Sequence, residues 1–189
     1  ATDPAYGLAM AQTSDSGSYS VVVTNSFGSA TSAVAELIVA ELPYAWGDNN
    51  WGQTQVSMGA AKSIAVSAGA WHTLSLGPDG RVAAWGNDYF GQCDVPPALT
   101  DALAIAAGGY HSLAIRANGS VLAWGNNDYG QATVPAGLKQ VVALAAGAWH
   151  SLALKADGTV VAWGDNSAGQ CSVPAGLSNV LSVAAGGNH

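Results

Sequence analysis

Residues 146–177 read AGAWHSLALKADGTVVAWGDNSAGQCSVPAGL, and three other copies of this stretch, whole or partial, account for most of the remaining chain. The copies align without insertion or deletion. Trp46, Trp85, Trp124 and Trp163 recur at a step of 39 residues, and so do His72, His111, His150 and His189, and Gln53, Gln92, Gln131 and Gln170. A period of this size marks stacked supersecondary units, such as solenoid turns or propeller blades, rather than one irregular globule.

Within one copy the pattern predicts four short strands. Val141 to Ala146 is an apolar run stopped by Gly147, His150 to Ala156 alternates and stops at Asp157-Gly158, and Thr159 to Gly164 follows. A loop from Asp165 to Gln170 then leads to a weak fourth segment ending at Val173-Pro174. Asp157-Gly158, Asn118-Gly119 and Pro78-Asp79-Gly80 predict hairpins with type I′ geometry, which wants positive φ. Pro96, Pro135 and Pro174 cannot donate to a ladder, which places the fourth segment at a sheet edge. Four antiparallel strands in about forty residues describe a propeller blade.

Composition agrees with an all-β chain. The 189 residues are 49% hydrophobic and only 9% charged, with 24 Gly, a balance suited to short strands joined by tight turns. The formal charge is −7, and the five cations, Lys62, Arg81, Arg116, Lys139 and Lys155, are scattered through the sequence. That disfavours nucleic acid and anionic lipid, whose binding needs several cations on one surface. No apolar run is long enough to insert into a membrane. Cys93 and Cys171 share a repeat position held elsewhere by Thr54 and Ala132, which describes a small, half-buried packing slot rather than a disulfide.

Residues 1–42 stand outside the repeat. Asp15-Ser16-Gly17-Ser18-Tyr19 reads as a turn feeding a strand from Ser20 to Asn25, with Asn25-Ser26-Phe27-Gly28 as a hairpin loop and a second strand from Ala33 to Val39. D-x-G-x-Y before a Val-rich strand, then N-x-x-G and a closing strand, resembles the end of an immunoglobulin-like domain, which implies Tyr19 as its tyrosine corner. Val21 stands where that family usually has its second disulfide cysteine. The expected organisation is the C-terminal strands of an immunoglobulin-like domain over 1–42 and propeller repeats over 43–189, both incomplete and cut from a longer protein.

The pattern A-W-G-x-N-x-x-G-Q-x-x-V-P, with A-A-G-x-x-H-S-L-A-L in the same unit, resembles the repeat of the regulator of chromosome condensation family. Its 39-residue period is similar to the short bacterial branch that includes the β-lactamase inhibitory protein II. The resemblance implies seven blades in a complete ring. The expected fold is therefore an all-β partial β-propeller, about four four-stranded blades of an expected seven, after a partial immunoglobulin-like sandwich.

No catalytic set emerges. The only glutamates, Glu36 and Glu41, lie in or beside the first segment, and spacing suggests no Ser/His/Asp or Cys/His group. One Trp and one His per unit are expected to be structural, the Trp packing between blades and the His bonding one blade to the next. Blade spacing also holds the His apart, which argues against a metal site. Neither an enzymatic role nor a cofactor is expected.

The informative residues are those that differ between copies. Strand directions bring the x-x-H turn and the G-[DN]-x-x-x-G-Q loop to one end of each blade. There stand Trp51, Trp71, Tyr89, Phe90, Tyr110, Tyr129 and Trp149, with Asp88 and Asp128 among them. Alternation does not demand aromatics at those positions, and such a rim has the composition of an interface hot spot. The expectation is a non-enzymatic, partner-binding module of a larger bacterial secreted or cell-surface protein. Its partner is expected to be a protein, with a glycan stacked on the aromatics as an alternative. The resemblance adds a second reading, inhibition of a secreted enzyme such as a β-lactamase. Nucleotide exchange on a small GTPase, implied by the eukaryotic relatives, is disfavoured by the short repeat and the domain context.

Overall fold

The computed structural model describes residues 12, 14, 16–20, 22–25, 28–37 and 42–189. The chain forms two compact units, Ala1–Glu41 and Leu42–His189.

In the first unit β1 (Gly17–Tyr19) pairs antiparallel with β4 (Ala35–Leu37), and β2 (Val22–Asn25) pairs with β3 (Gly28–Thr31). The hairpin partner of the Val-rich strand is thus Gly28–Thr31, and the strand expected over Ala33 to Val39 pairs instead with the segment that carries Tyr19. Asp15, Val21, Ser26, Phe27 and the end of that last strand lie outside the described residues.

The second unit is built from three sheets of identical plan. β5 (Ala65–Ala68), β6 (His72–Leu76) and β7 (Val82–Gly86) form the first. β8 (Ala102–Ala107), β9 (His111–Arg116) and β10 (Val121–Gly125) form the second, and β11 (Val141–Ala146), β12 (His150–Lys155) and β13 (Val160–Gly164) the third. Each is an up-and-down antiparallel triple with the middle strand in the centre. First strands stand beside one another, β8 against β5 and β6, and β11 against β8 and β9. These are successive blades of a propeller arc.

The fourth segment does not join the sheet. Pro96, Pro135 and Pro174 each accept, on their carbonyl, the N–H of the leucine three residues on (Leu99, Leu138 and Leu177, at 2.9, 3.2 and 3.2 Å), which closes a turn where an edge strand was expected. A segment with no N–H at its proline and its neighbouring carbonyl tied into a turn has little left for a ladder. The blades are three-stranded among the described residues.

The hairpins also differ from type I′. Arg116 N–H donates to Ser120 O and Gly119 N–H to Arg116 O, and only Gly119 of the turn has positive φ, at 74°. This is a three-residue loop, a type I turn followed by a left-handed glycine. Asn118 serves it from its side chain, Oδ1 accepting the Ser120 N–H, as Asp79 does for Arg81 and Asp157 for Thr159.

The core lies between blades rather than within them. Leu74, Leu76, Leu99, Ala114 and Trp124 close the first interface, and Leu113, Ile115, Val121, Val141 and Trp163 the second. Burying a side chain such as Leu74 or Leu113, each with no exposed surface, stabilises by roughly 2 kcal/mol. Trp85, Trp124 and Trp163 are buried as expected, but Trp46 is 87% exposed. Trp85, Trp124 and Trp163 each donate from Nε1 to the carbonyl of an earlier glutamine, Gln53, Gln92 or Gln131, whereas among the described residues Trp46 has no such glutamine loop before it.

Candidate functional site

The loop ends of the blades are set by a repeated polar lattice. Trp124 Nε1 and Ser112 Oγ both donate to the backbone carbonyl of Gln92, at 3.0 and 2.8 Å, and both come from the blade after the one that Gln92 closes. Trp163 and Ser151 do the same to Gln131, at 2.9 Å each. The serine hydroxyl proton is thereby committed, so its oxygen accepts from the preceding blade's histidine: His72 Nε2 to Ser112, and His111 Nε2 to Ser151. This fixes the Nε2–H tautomer and leaves Nδ1 of both rings without a hydrogen-bond partner. Burial pushes His72 and His111 down to about 4, helped at His111 by the flanking His72 and His150. His72 and His111 are neutral ties between blades, as their recurrence predicts.

Glycine makes room for each ring. A Cβ on Gly108 would collide with the His111 ring and stand 2.7 Å from the Gly147 carbonyl. Gly109 N–H donates to that same carbonyl, as Ala70 N–H does to Gly108 O one blade earlier. Two loops then meet at the end of each third strand. Asn87 N–H donates to Trp71 O, Asn126 N–H to Tyr110 O and Asp165 N–H to Trp149 O, at 2.7, 2.8 and 2.9 Å. A Cβ on Gly125, at φ 92°, would lie 2.7 Å from the Tyr110 carbonyl, so only glycine lets the two segments press together.

Each long loop is closed from inside by its glutamine. Gln92 Nε2 donates to Asn87 Oδ1 and Gln92 Oε1 accepts the Phe90 N–H, and Gln53, Gln131 and Gln170 repeat both bonds with their own neighbours. A second acceptor spans the loop: Asn49, Asp88, Asn127 and Asn166 each take, on Oδ1, the N–H five residues on. The tips are thereby projected from a rigid base.

On that base the rings of four loops touch in sequence. Tyr89 meets Phe90 edge-on at 4.9 Å, Phe90 meets Tyr110 at 5.4 Å, Tyr110 stacks on Trp149 at 5.0 Å and 26°, and Tyr129 leans on Trp149 at 5.5 Å. Five of the seven aromatics named from the sequence are thus one continuous surface. Tyr89 and Tyr129 form its outermost part, 83% and 55% exposed, while Tyr110 and Trp149 are half-buried beneath them. Trp51 is exposed and Trp71 half-buried, and both stand outside this run of ring contacts.

The two aspartates divide. Asp128 is exposed at the tip, its Oδ2 accepting from Asn126 Nδ2. Asp88 is exposed too, yet it fills the loop-spanning position that Asn49, Asn127 and Asn166 fill elsewhere, with Cys93 N–H at 2.7 Å. The signal was present in the sequence, since those four residues share the 39-residue step. Cys93 and Cys171 are free thiols in a half-buried slot, Cys93 Sγ donating to Asn87 O and Cys171 Sγ to Asp165 O. Among the described residues no three His, Cys, Asp or Glu side chains converge as metal ligands would, and no helix is long and apolar enough to cross a membrane.

Residues 64–92, 103–131 and 141–170 each match the regulator of chromosome condensation (RCC1) repeat. These three segments of the second unit are similar to RCC1 repeats. Solved structures agree in fold. Prp20p of Saccharomyces cerevisiae, described with its binding properties to Gsp1p and histones, superposes with a TM-score of 0.67 at 18% identity, over 82% of this chain and 52% of that one. The ectodomain of the Physcomitrella patens receptor kinase CR4 gives 0.62 at 25% identity, over 81% and 42%. The CRINKLY WD40 ectodomain of the Arabidopsis thaliana receptor kinase ACR4 gives 0.53 at 27%, over 65% and 42%. The chain thus spans about half or less of the length of these solved structures. No curated protein sequence matches it.

Proposed function

We propose that the chain is a non-enzymatic protein-interaction module whose RCC1-like blades present the aromatic loop rim to a partner, within a larger bacterial secreted or surface protein that also carries immunoglobulin-like strands. The observation that carries this reading is the unbroken run of rings from Tyr89 to Tyr129 across four loops. Rigid aromatics lose little side-chain entropy on binding, and rings already packed on one another lose less. The neighbours lend support of two kinds: Prp20p is described with its binding to Gsp1p and histones, and the two plant kinases carry this fold in ectodomains.

The test compares proteins retained from bacterial surface extracts by immobilised wild-type chain and by a Tyr89→Ala, Tyr129→Ala variant of unchanged melting temperature. Proteins held by the first and lost by the second are expected; equal retention overturns the reading. Enzyme inhibition is one form of it, removed if titration of a β-lactamase at micromolar chain leaves activity unchanged.

A further inference from the structure

The charges of the repeat unit are sorted between its two ends. All five cations of the chain lie at the hairpin-turn end: Lys62 and Lys139 just before first strands β5 and β11, Arg81 in the β6–β7 turn, and Arg116 and Lys155 closing the middle strands β9 and β12. Three of them are matched there by aspartates, Arg81 by Asp79 at 3.4 Å, Arg116 by Asp101 at 2.8 Å and Lys155 by Asp157 at 2.8 Å. The loop end holds no cation, and among its aspartates are Asp48, Asp88, Asp128 and Asp165. Their partners are neutral: Gln53, the Cys93 N–H, Asn126, and Ser167 with Gln170. Hydrogen bonds from neutral groups hold these carboxylates in place without cancelling their charge. At Asp165 they hold the carboxyl below the ordinary carboxylate range, the Ser167 backbone N–H foremost.

Two of these aspartates, Asp88 and Asp128, directly precede Tyr89 and Tyr129, the exposed ends of the aromatic run. Exposed phenol faces attract cations through their ring quadrupole, and a carboxylate beside such a face adds to the attraction. Apolar or anionic partners gain nothing from this pairing, and an anionic one is repelled by the field of the face.

We propose that the loop face of the RCC1-like blades binds a protein segment rich in arginine or lysine, whose cationic side chains lie on Tyr89 and Tyr129 beside Asp88 and Asp128. This rests on the interaction-module reading and names the chemistry of the partner.

The probe is a synthetic alternating Gly-Arg peptide, titrated against the whole chain at low salt with an alternating Gly-Glu peptide as control. The decisive variant is Asp88→Asn with Asp128→Asn. Asparagine already fills the Asp88 position in the other repeats, so the loop keeps its hydrogen bond while the face loses two charges. A loss of about tenfold in Gly-Arg affinity is expected. Asp79→Asn with Asp157→Asn changes net charge equally at the far end, and is expected to alter affinity by less than about twofold. No binding of Gly-Arg to wild type, equal binding of Gly-Glu, or equal losses in the two double variants overturns the proposal. If Tyr89→Ala, Tyr129→Ala releases captured proteins while Asp88→Asn, Asp128→Asn keeps them, the cationic partner fails and the interaction module stands. If neither variant releases any, both fail.

Discussion

His111 Nε2 in one blade lies 2.9 Å from Ser151 Oγ in the next, and that hydroxyl donates a hydrogen bond to the backbone carbonyl of Gln131. A buried side chain of one repeat is therefore satisfied only by the repeat that follows. Removing the hydroxyl with Ser151→Ala strands the His111 N–H and takes a donor from Gln131. The variant is expected to lose about 1–3 kcal/mol in urea unfolding. Ser120→Ala, whose hydroxyl bonds only Asn118 in an exposed turn, is expected to lose less than about 0.5 kcal/mol; similar losses in the two would remove the inter-blade tie from the stability account.

Acid should loosen the blades through these rings. With folded values near 4 for His72 and His111 against an ordinary 6.5, the unfolded chain takes up protons first as pH falls. Their contribution is complete above about pH 6.5 and is lost between there and about pH 4, each ring accounting for roughly 3 kcal/mol. Melting temperature measured from pH 8 to 4 is expected to be flat at first and to fall below about 6.5. His111→Gln, which cannot titrate, is expected to fall less steeply over that window.

Glycine at 108 is required by proximity rather than by backbone angle. Gly108→Ala is expected to cost more than about 2 kcal/mol, since the methyl group meets the His111 ring and a backbone carbonyl. Gly137→Ala offers the opposite case, a φ of 78° with open space around it, and should cost about 1 kcal/mol. Thermal unfolding of the pair checks the ranking.

Cys93 should be a sluggish thiol. Burial first, then Asp88 and Asp94, push it up to about 12. Its alkylation by iodoacetamide at pH 8, followed by mass spectrometry of the peptide, is expected to run at least tenfold slower than that of a free cysteine. Unfolding in urea should restore the ordinary rate.

The 39-residue step made the strands, the loop end and the linking histidines legible, because a residue repeated once per unit must meet its own copy's neighbours in the same way. The missing fourth strand was harder to read. Val173-Pro174 fits an edge strand and a turn equally well by composition, and the choice is made by the leucine N–H three residues on. Trp46 escaped for a different reason, since its sequence context is that of the buried Trp85 and only the surrounding blades decide its exposure. Asp88 shows the cost of looking only at differences: its charge is particular to one repeat, while its hydrogen bond is common to four.

The doubly loaded Gln92 carbonyl bears on how such a rim can change over generations. What the next blade grips is a main-chain oxygen, an atom no substitution deletes. The tip side chains at 89–90 and 128–129 take no part in these anchors and can change in sequence without loosening the arc. An arc of blades held in this way is a set of interchangeable display loops, and new specificity can arise one tip at a time.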